Sequence, residues 1–283
     1  MESVTDWIRL WRELVEWQDS FRYCFTSSEK EKDRWKKRAK GFDESARERW
    51  AKPDPLRDFI VSMVMSIKDS TVLDIGAGTG AWAVFLSKFV RKVTAIEPSE
   101  SMRSVLGENL KKEGIHNVEV FDGIWPEVDI GSHDFSLSSH SAYGCADLPG
   151  FVDAMAKATR RTCFLLLRAP DPAGVMARAA RMVWGQPNDS PNFQVAYNAM
   201  LQMGIFPNVL MEEKGLWPGW TNKSLDEAFE KIRSRFAVEE DSKADQCLRT
   251  LLKEHLKEVD GRVEWPSEVR TALVYWNTVN HVL

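Results

Sequence analysis

A glycine-rich turn constrains the fold of this 283-residue chain more than any other feature of its sequence. An apolar run, Val72-Leu73-Asp74-Ile75, leads into Gly76-Ala77-Gly78-Thr79-Gly80, and a helix-forming segment begins at Ala81. Glycines let the backbone turn tightly and approach a ligand closely. A helix that follows such a turn points its unpaired amides at the ligand. The segment therefore predicts a strand, a ligand-binding turn and a helix in succession.

Short apolar runs alternate with single helix-forming segments from residue 56 onward. This alternation indicates a parallel sheet with helices on both faces, and right-handed crossovers make such a sheet doubly wound. We therefore expect an α/β fold with a mostly parallel, Rossmann-like sheet of seven strands. The predicted strands are 71–75, 92–96, 118–121, 135–139, 162–167, 208–211 and 272–278.

Helical segments are predicted on either side of the last strands and ahead of the first one. Apolar residues at helical spacing near the N-terminus, Trp7 to Val15, predict a helical cap within residues 1–54. The cofactor-binding domain is then expected over residues 55–283, with a helical insertion at about 215–269. Within that insertion Ser224 and Glu227 form a capping box. A second apolar stripe comprises Leu248, Leu251, Leu252, Leu256 and Val259.

Composition excludes several classes of protein. The formal net charge is −4, from 38 basic and 42 acidic residues, so no basic field attracts nucleic acid or an anionic membrane. No apolar run is long enough to span a bilayer, and no signal-peptide pattern opens the sequence. The four cysteines form no CxxC pair, so we expect no metal site and a cytoplasmic location. The oligomeric state is left open.

A carboxylate two residues before the first glycine separates two interpretations of the turn. Gly76, Gly78 and Ala81 also satisfy the dinucleotide fingerprint, which would indicate an NAD-dependent oxidoreductase. Asp74 would repel a pyrophosphate, whereas it would hold a ligand that carries a cationic amino group. A second acid, Glu97, ends the next predicted strand about twenty residues on, where a carboxylate can accept both ribose hydroxyls.

These motifs together resemble the class I, Rossmann-like family of S-adenosylmethionine (SAM)-dependent methyltransferases. D-x-G-x-G-x-G follows the first strand, Glu97-Pro98 ends the second, and Asp122-Gly123 follows the third. The resemblance implies that Asp74 helps to bind the amino group of SAM and that Glu97 binds the ribose. It also implies that Met102 and Asp122 lie near the adenine. The cofactor-binding residues expected from it are Trp35, Asp74, Gly76, Ala77, Gly78, Gly80, Glu97, Pro98, Met102, Asp122, Gly123 and Ser138.

The segment Trp35 to Asp43 is similar to a W-x-x-R-A-x-x-F-D stretch that covers the bound cofactor in many small-molecule methyltransferases. Its aromatic and cationic residues recur at helical spacing and suit a sulfonium and its carboxylate. The chain departs from one family pattern, because no N-P-P-Y-type tetrad follows the fourth strand. This departure disfavours methylation of DNA bases or of protein glutamine.

The acceptor side is expected just past the fourth strand, where the resemblance places the transferred methyl group. His140 is a candidate general base, since an unperturbed imidazole titrates near neutral pH, and Tyr143 is the second catalytic candidate. A local hydrogen-bonding role for His140 and a packing role for Tyr143 remain open alternatives. The predicted function is methylation of a small-molecule acceptor, with a non-catalytic SAM-binding sensor or partner protein as the alternative. The sequence leaves the acceptor itself open.

Overall fold

The computed structural model describes residues 5–25, 35–213, 217 and 219–278, with the side chains of 19–25 left out. Seven strands form one sheet in the order β3-β2-β1-β4-β5-β10-β6. Neighbouring strands are parallel except at β10, which is antiparallel to both β5 and β6. The predicted seven-stranded, mostly parallel sheet is therefore confirmed. Its strands are β1 Thr71–Ile75, β2 Lys92–Ile96, β3 Val118–Phe121, β4 His133–Ser139, β5 Thr159–Pro170, β6 Asn208–Met211 and β10 Val269–Asn277.

Helices cover both faces of this sheet, as a doubly wound topology requires. One buried cluster joins α1, α6 and α8 to one face, and a second joins α3 and α4 to the other. The helices of the described residues are α1 Trp7–Phe25, α2 Ala39–Trp50, α3 Pro55–Met65, α4 Ala81–Leu86, α5 Glu100–Lys112, α6 Leu148–Lys157, α7 Val175–Trp184, α8 Phe193–Gln202, α9 Leu225–Arg235 and α10 Lys243–His255.

The N-terminal helix α1 packs into the main core. Trp11 and Val15 are buried in the same cluster as Leu73 and Ile75 of β1. The Trp11 Nε1–H donates to the carbonyl of Cys145, 2.8 Å away, just past β4. The helix thus buries its apolar stripe against one face of the sheet, while the predicted division of the chain at residue 54 stays a prediction.

The insertion between β6 and β10 is not wholly helical, which corrects the expectation of a helical insertion. Besides α9 and α10, it contains a small antiparallel sheet of β7 Thr221–Asn222, β8 Lys257–Val259 and β9 Arg262–Glu264. Asp260 and Gly261 join β8 to β9 with positive φ angles of 50° and 71°. An Asp-Gly pair with both φ positive is the turn that two-residue hairpins favour. Val259, predicted on the stripe of α10, is therefore an exposed strand residue.

The topology brings the ends of β1, β2 and β4 together at one edge of the sheet. Parallel registers align Ile75 with Ile96 and with Ser138. The insertion leaves β6 and enters β10 at the same edge, because Met211 pairs with Ala272 near the start of β10. Ligands of open α/β sheets bind at this edge. Within the described residues, no helix has both the length and the apolar character needed to cross a membrane.

Candidate functional site

The glycine turn has a backbone conformation that only glycine adopts easily. Gly76, Gly78 and Gly80 have φ angles of 71°, 59° and 88°. The amides of Gly76 and Ala77 both donate to the carbonyl of Ile96, at 2.8 and 2.9 Å, which fastens the turn to β2. A Cβ added at Gly76 would lie 2.3 Å from the Cβ of Ser141. The turn therefore leaves no room for a side chain at its first position.

Two substitutions separate backbone strain from crowding in this turn. At Gly78 an added Cβ meets nothing closer than Phe42 Cε1, 3.9 Å away, so Gly78→Ala adds only the strain of a left-handed residue. We expect it to lower the free energy of unfolding by about 1–2 kcal/mol. Gly76→Ala must also displace Ser141, so we expect a larger loss. Urea unfolding of both variants measures the difference, and equal losses would contradict the crowding at Gly76.

Asp74 is a buried carboxylate whose environment suits the binding of a cation. It is 2% exposed at the end of β1, and its Oδ2 has no hydrogen-bond partner among the described residues. Burial, together with the nearby charge of Glu97, raises the pKa of Asp74 to about 7 against the opposing effect of the Ala83 N–H. A buried acid without a partner is costly. The site therefore fits a ligand with a cationic amino group, which is the feature of SAM that the sequence predicts at this position.

Glu97 joins the glycine turn to the start of α5. Its Oε2 accepts the N–H of Gly78 at 2.8 Å, and its Oε1 accepts the N–H of Ser99 at 2.9 Å. The carboxylate is 7% exposed, so it is held rigidly beside the turn. Its expected contact with the ribose hydroxyls stays a prediction, and Pro98, the next residue, is exposed.

The two residues predicted near the adenine lie in different surroundings. Met102 is buried on α5 with Ala39 and Val105, and Trp35 packs against this small cluster. Asp122 has a side chain that is 70% exposed and pairs with Arg103, with 2.7 Å between Oδ1 and Nη1. Gly123 follows it at partial exposure. Asp122 thus already has a cationic partner, and its contact with the adenine stays a prediction.

The segment Trp35 to Asp43 lies over the glycine turn. Phe42, which is 45% exposed, is the residue nearest to an added Cβ at Gly78, and its ring lies 5.2 Å from that of Trp35. The amide of Asn109 donates to Asp43 Oδ1 at 3.0 Å and to the Thr79 carbonyl at 2.9 Å, so α2, α5 and the turn are tied together. This placement agrees with the covering role that the sequence predicts.

His140 and Tyr143 lie directly after β4 and contact each other. Ser138, at the end of that strand, is buried, and its Oγ lies 2.7 Å from Ser141 Oγ. Nδ1 of His140 lies 3.0 Å from the Tyr143 hydroxyl, which also accepts the N–H of Arg168 at 2.5 Å. The His140 backbone has a φ of 56°, a left-handed conformation that re-aims the ring at the strand end.

The surroundings of His140 keep its ring neutral. Burial, together with the positive charges of Arg49 and Arg168, lowers the pKa of His140 to about 3. The ring of Trp217 meets it edge-on, with ring centres 5.2 Å apart. We call His140, Tyr143, Arg168 and Trp217 the acceptor-side cluster. Burial also raises the pKa of Tyr143, so its hydroxyl stays protonated.

A partly buried ion pair, which no sequence motif indicates, contacts Trp217 beside His140. Arg49 Nη2 lies 2.9 Å from Glu212 Oε1, and the guanidinium carbon lies 3.8 Å from the centre of the Trp217 ring. The indole N–H of Trp217 donates to Glu212 Oε2 at 2.9 Å and to the Thr271 hydroxyl at 3.1 Å. Arg49 donates to the same hydroxyl at 2.7 Å. Arg49, Glu212 and Thr271 are far apart in sequence and share no motif.

A mostly parallel seven-stranded sheet, a glycine turn, a buried acid at the end of β1 and another after β2 are features of the nucleotide-binding, Rossmann-like class of proteins. Residues 72–162 match the family model described as a methyltransferase domain. The structure is similar to that of the YcgJ protein of Bacillus subtilis, with a TM-score of 0.50 and 14% identity. That similarity covers 78% of this chain and 96% of that one. Residues 72–162 thus carry a methyltransferase domain, and the family match and the fold support a SAM-dependent methyltransferase of the class I, Rossmann-like type.

Two curated relatives share parts of the same region. Protein-L-isoaspartate O-methyltransferase 2 of Syntrophobacter fumaroxidans is 44% identical over 55 residues, which are 19% of this chain and 22% of that protein. Demethylmenaquinone methyltransferase of Listeria welshimeri is 25% identical over 135 residues, or 47% of this chain and 52% of that protein. The similarity therefore spans about a fifth of the length of the first relative and about half of the length of the second.

Proposed function

We propose that this chain transfers a methyl group from SAM to a small-molecule acceptor. The observation that carries the proposal is Asp74, a buried carboxylate with an unpartnered oxygen beside a left-handed glycine turn. A dinucleotide would place its pyrophosphate against this acid, so the geometry disfavours an NAD-dependent oxidoreductase. An amino acid moiety with a cationic nitrogen instead gives Asp74 the partner that it lacks.

In this proposal the chain holds SAM from three directions. Asp74 pairs with the amino group, the glycine turn supports the methionine moiety, and Glu97 accepts the ribose hydroxyls. Met102 and Asp122 border the adenine, and Phe42 with Trp35 covers the turn. When bound there, SAM supplies an electrophilic methyl group on a sulfonium, ready for in-line displacement. The protein's contribution is then largely positioning and exclusion of water.

The acceptor-side cluster supports a small acceptor. His140 lies between the rings of Trp217 and Tyr143, and the Arg49–Glu212 pair fixes the Trp217 side. Aromatic walls with a few polar groups are typical of small-molecule sites. Demethylmenaquinone, which gives one relative its name, is a small molecule.

In the same proposal His140 and Tyr143 act on the acceptor directly. With a pKa near 3, His140 is neutral at physiological pH and can accept a hydrogen bond or a proton. The Tyr143 hydroxyl lies against Nδ1 and orients the ring, so Nε2 is the nitrogen available to the acceptor. A base this weak has little driving force for proton transfer. His140 therefore contributes most when the acceptor loses its proton late in the reaction, or when His140 only has to orient the acceptor.

A labelling experiment tests the proposed function and its rivals. The protein is first titrated with S-adenosylhomocysteine (SAH) and with NAD by calorimetry, and we expect SAH alone to bind. It is then incubated with methyl-labelled SAM and a bacterial extract divided by ultrafiltration. We expect label in the small-molecule fraction. Label on retained macromolecules would indicate a polymer acceptor, and SAH binding without any labelled product would favour a non-catalytic sensor.

A further inference from the structure

We propose that Arg168 binds an anionic oxygen group, a carboxylate or a phosphate, on the methyl acceptor; this assignment rests on the proposed function of the same site. Arg168 lies near the carboxyl end of β5, next to β4. Its guanidinium carbon lies 5.0 Å from the centre of the Tyr143 ring, and its charge acts on His140. Arg168 thus belongs to the immediate surroundings of the two catalytic candidates.

Strand register places the Arg168 side chain beside the wall formed by Trp217. Arg168 of β5 pairs directly with Thr271 of β10. Residues directly opposite each other on antiparallel strands project from the same face of the sheet, with Cβ atoms about 4.5–5.5 Å apart. The Thr271 hydroxyl accepts hydrogen bonds from Arg49 at 2.7 Å and from Trp217 at 3.1 Å. The Arg168 side chain therefore leaves the sheet on the side where the acceptor is expected.

The two arginines near His140 differ in their partners. Arg49 is neutralised by Glu212, whose side chain is 1% exposed. Arg168 Nη2 instead donates to two neutral oxygens, Ser190 Oγ at 3.0 Å and the Pro191 carbonyl at 3.4 Å. In the part of the chain that the structure describes, no carboxylate lies within ion-pair distance of Arg168. Among the described residues, its positive charge therefore has no directly paired carboxylate.

The loop that holds Arg168 is buried, and the charge of its acid is paired with another arginine. Ser190 is 2% exposed, and its carbonyl accepts the side-chain amide of Asn192 at 2.9 Å. Asp189 accepts the Ser190 hydroxyl at 3.3 Å through Oδ1, and its Oδ2 forms an ion pair with Arg235 of α9 at 2.6 Å. A guanidinium that is positioned by neutral groups and partly withdrawn from water gains most from an anionic ligand. The arrangement is thus suited to recognise a charged group on an otherwise apolar acceptor.

The test compares anionic and neutral probes of one shape on the SAH-loaded protein. Benzoate and phenyl phosphate carry the proposed group, whereas benzamide lacks the charge. We expect at least one anion to bind the wild type about tenfold or more tightly than benzamide, as for hydrogen bonds to a charged group. In Arg168→Gln we expect this preference to shrink to about twofold or less. The tighter anion identifies a carboxylate or a phosphate as the preferred group.

Arg161→Gln is the matched control, because Arg161 is an exposed arginine of the same strand, seven residues or about 23 Å away. It should keep the anion preference. SAH affinity is measured first in every variant and should not change, which shows that the cofactor side is intact. Equal binding of the three probes to the wild type, or a preference that survives in Arg168→Gln, overturns the assignment. Failure of the wild type to bind SAH overturns the proposed function itself, and this inference with it.

Discussion

Asp74→Asn is expected to weaken SAH binding by roughly 10- to 100-fold, the range for hydrogen bonds to a charged group. The substitution keeps the shape of the side chain and removes the charge that would pair with the ligand's amino group. Because Asp74 is buried and Oδ2 has no partner in the described part of the chain, no neighbouring group can replace the lost contact. Calorimetry with purified protein measures the affinity directly.

The raised pKa of Asp74 adds a second signature to this experiment. With a pKa of about 7, Asp74 is close to half protonated at pH 7 in the free protein. Pairing with a cationic amino group lowers that pKa, so binding must release about half a proton from Asp74. The release makes the measured enthalpy depend on the ionisation enthalpy of the buffer. The slope of the measured enthalpy against the ionisation enthalpy of the buffer gives the number of protons released. We expect this number to be about one half larger in the wild type than in Asp74→Asn.

Asp153→Asn serves as the matched control, since Asp153 is an exposed acid on α6 that pairs only with Lys157 among the described residues. Its affinity and buffer dependence should equal those of the wild type. Glu97→Ala tests the ribose contact in parallel and should also weaken SAH binding. Unchanged affinity in both Asp74→Asn and Glu97→Ala would remove the proposed cofactor site.

His140→Ala is expected to lower kcat by about 100-fold while it leaves SAH affinity nearly unchanged. Positioned acid–base groups contribute about 10²- to 10⁴-fold, and the low pKa of His140 places it at the weak end of that range. The rate is measured with the acceptor that the labelling experiment identifies. Tyr143→Phe should cause a smaller loss, because it removes the hydrogen bond to Nδ1 and keeps the imidazole in place.

The pH dependence distinguishes this role for His140 from that of an ordinary histidine base. A base with a pKa near 6.5 would lose activity as the pH falls from 7 to 6. His140 is already neutral throughout this range, so its contribution should stay constant until the pH approaches its lowered pKa of about 3. The ratio of wild-type to His140→Ala rates should therefore be flat between pH 6 and 8. His116→Ala, at an exposed histidine, is the control. A ratio that rises with a midpoint near 6.5 would contradict the buried, neutral state of the ring.

Local sequence was sufficient to predict the sheet and the cofactor side. Apolar runs broken by single helices predicted all seven strands of the main sheet, because buried parallel strands are continuously apolar. β1, β2 and β3 were predicted to the residue. The small sheet in the insertion was missed, although Asp260-Gly261 signals a hairpin, because an apolar residue at helical spacing suggested that α10 continued through Val259.

The sequence by itself determined the class of ligand, since Asp74, the glycines of the turn and Glu97 lie within one strand–turn–helix–strand unit. Only the tertiary structure decided which residues surround His140. Arg49, Arg168 and the Glu212–Trp217 pair come from three separate regions and meet only because the chain returns to one edge of the sheet. Their burial and mutual charges, not their identities, keep His140 neutral and leave Arg168 without an acidic partner in the described structure. Such properties depend on three-dimensional proximity and desolvation, which no local pattern encodes.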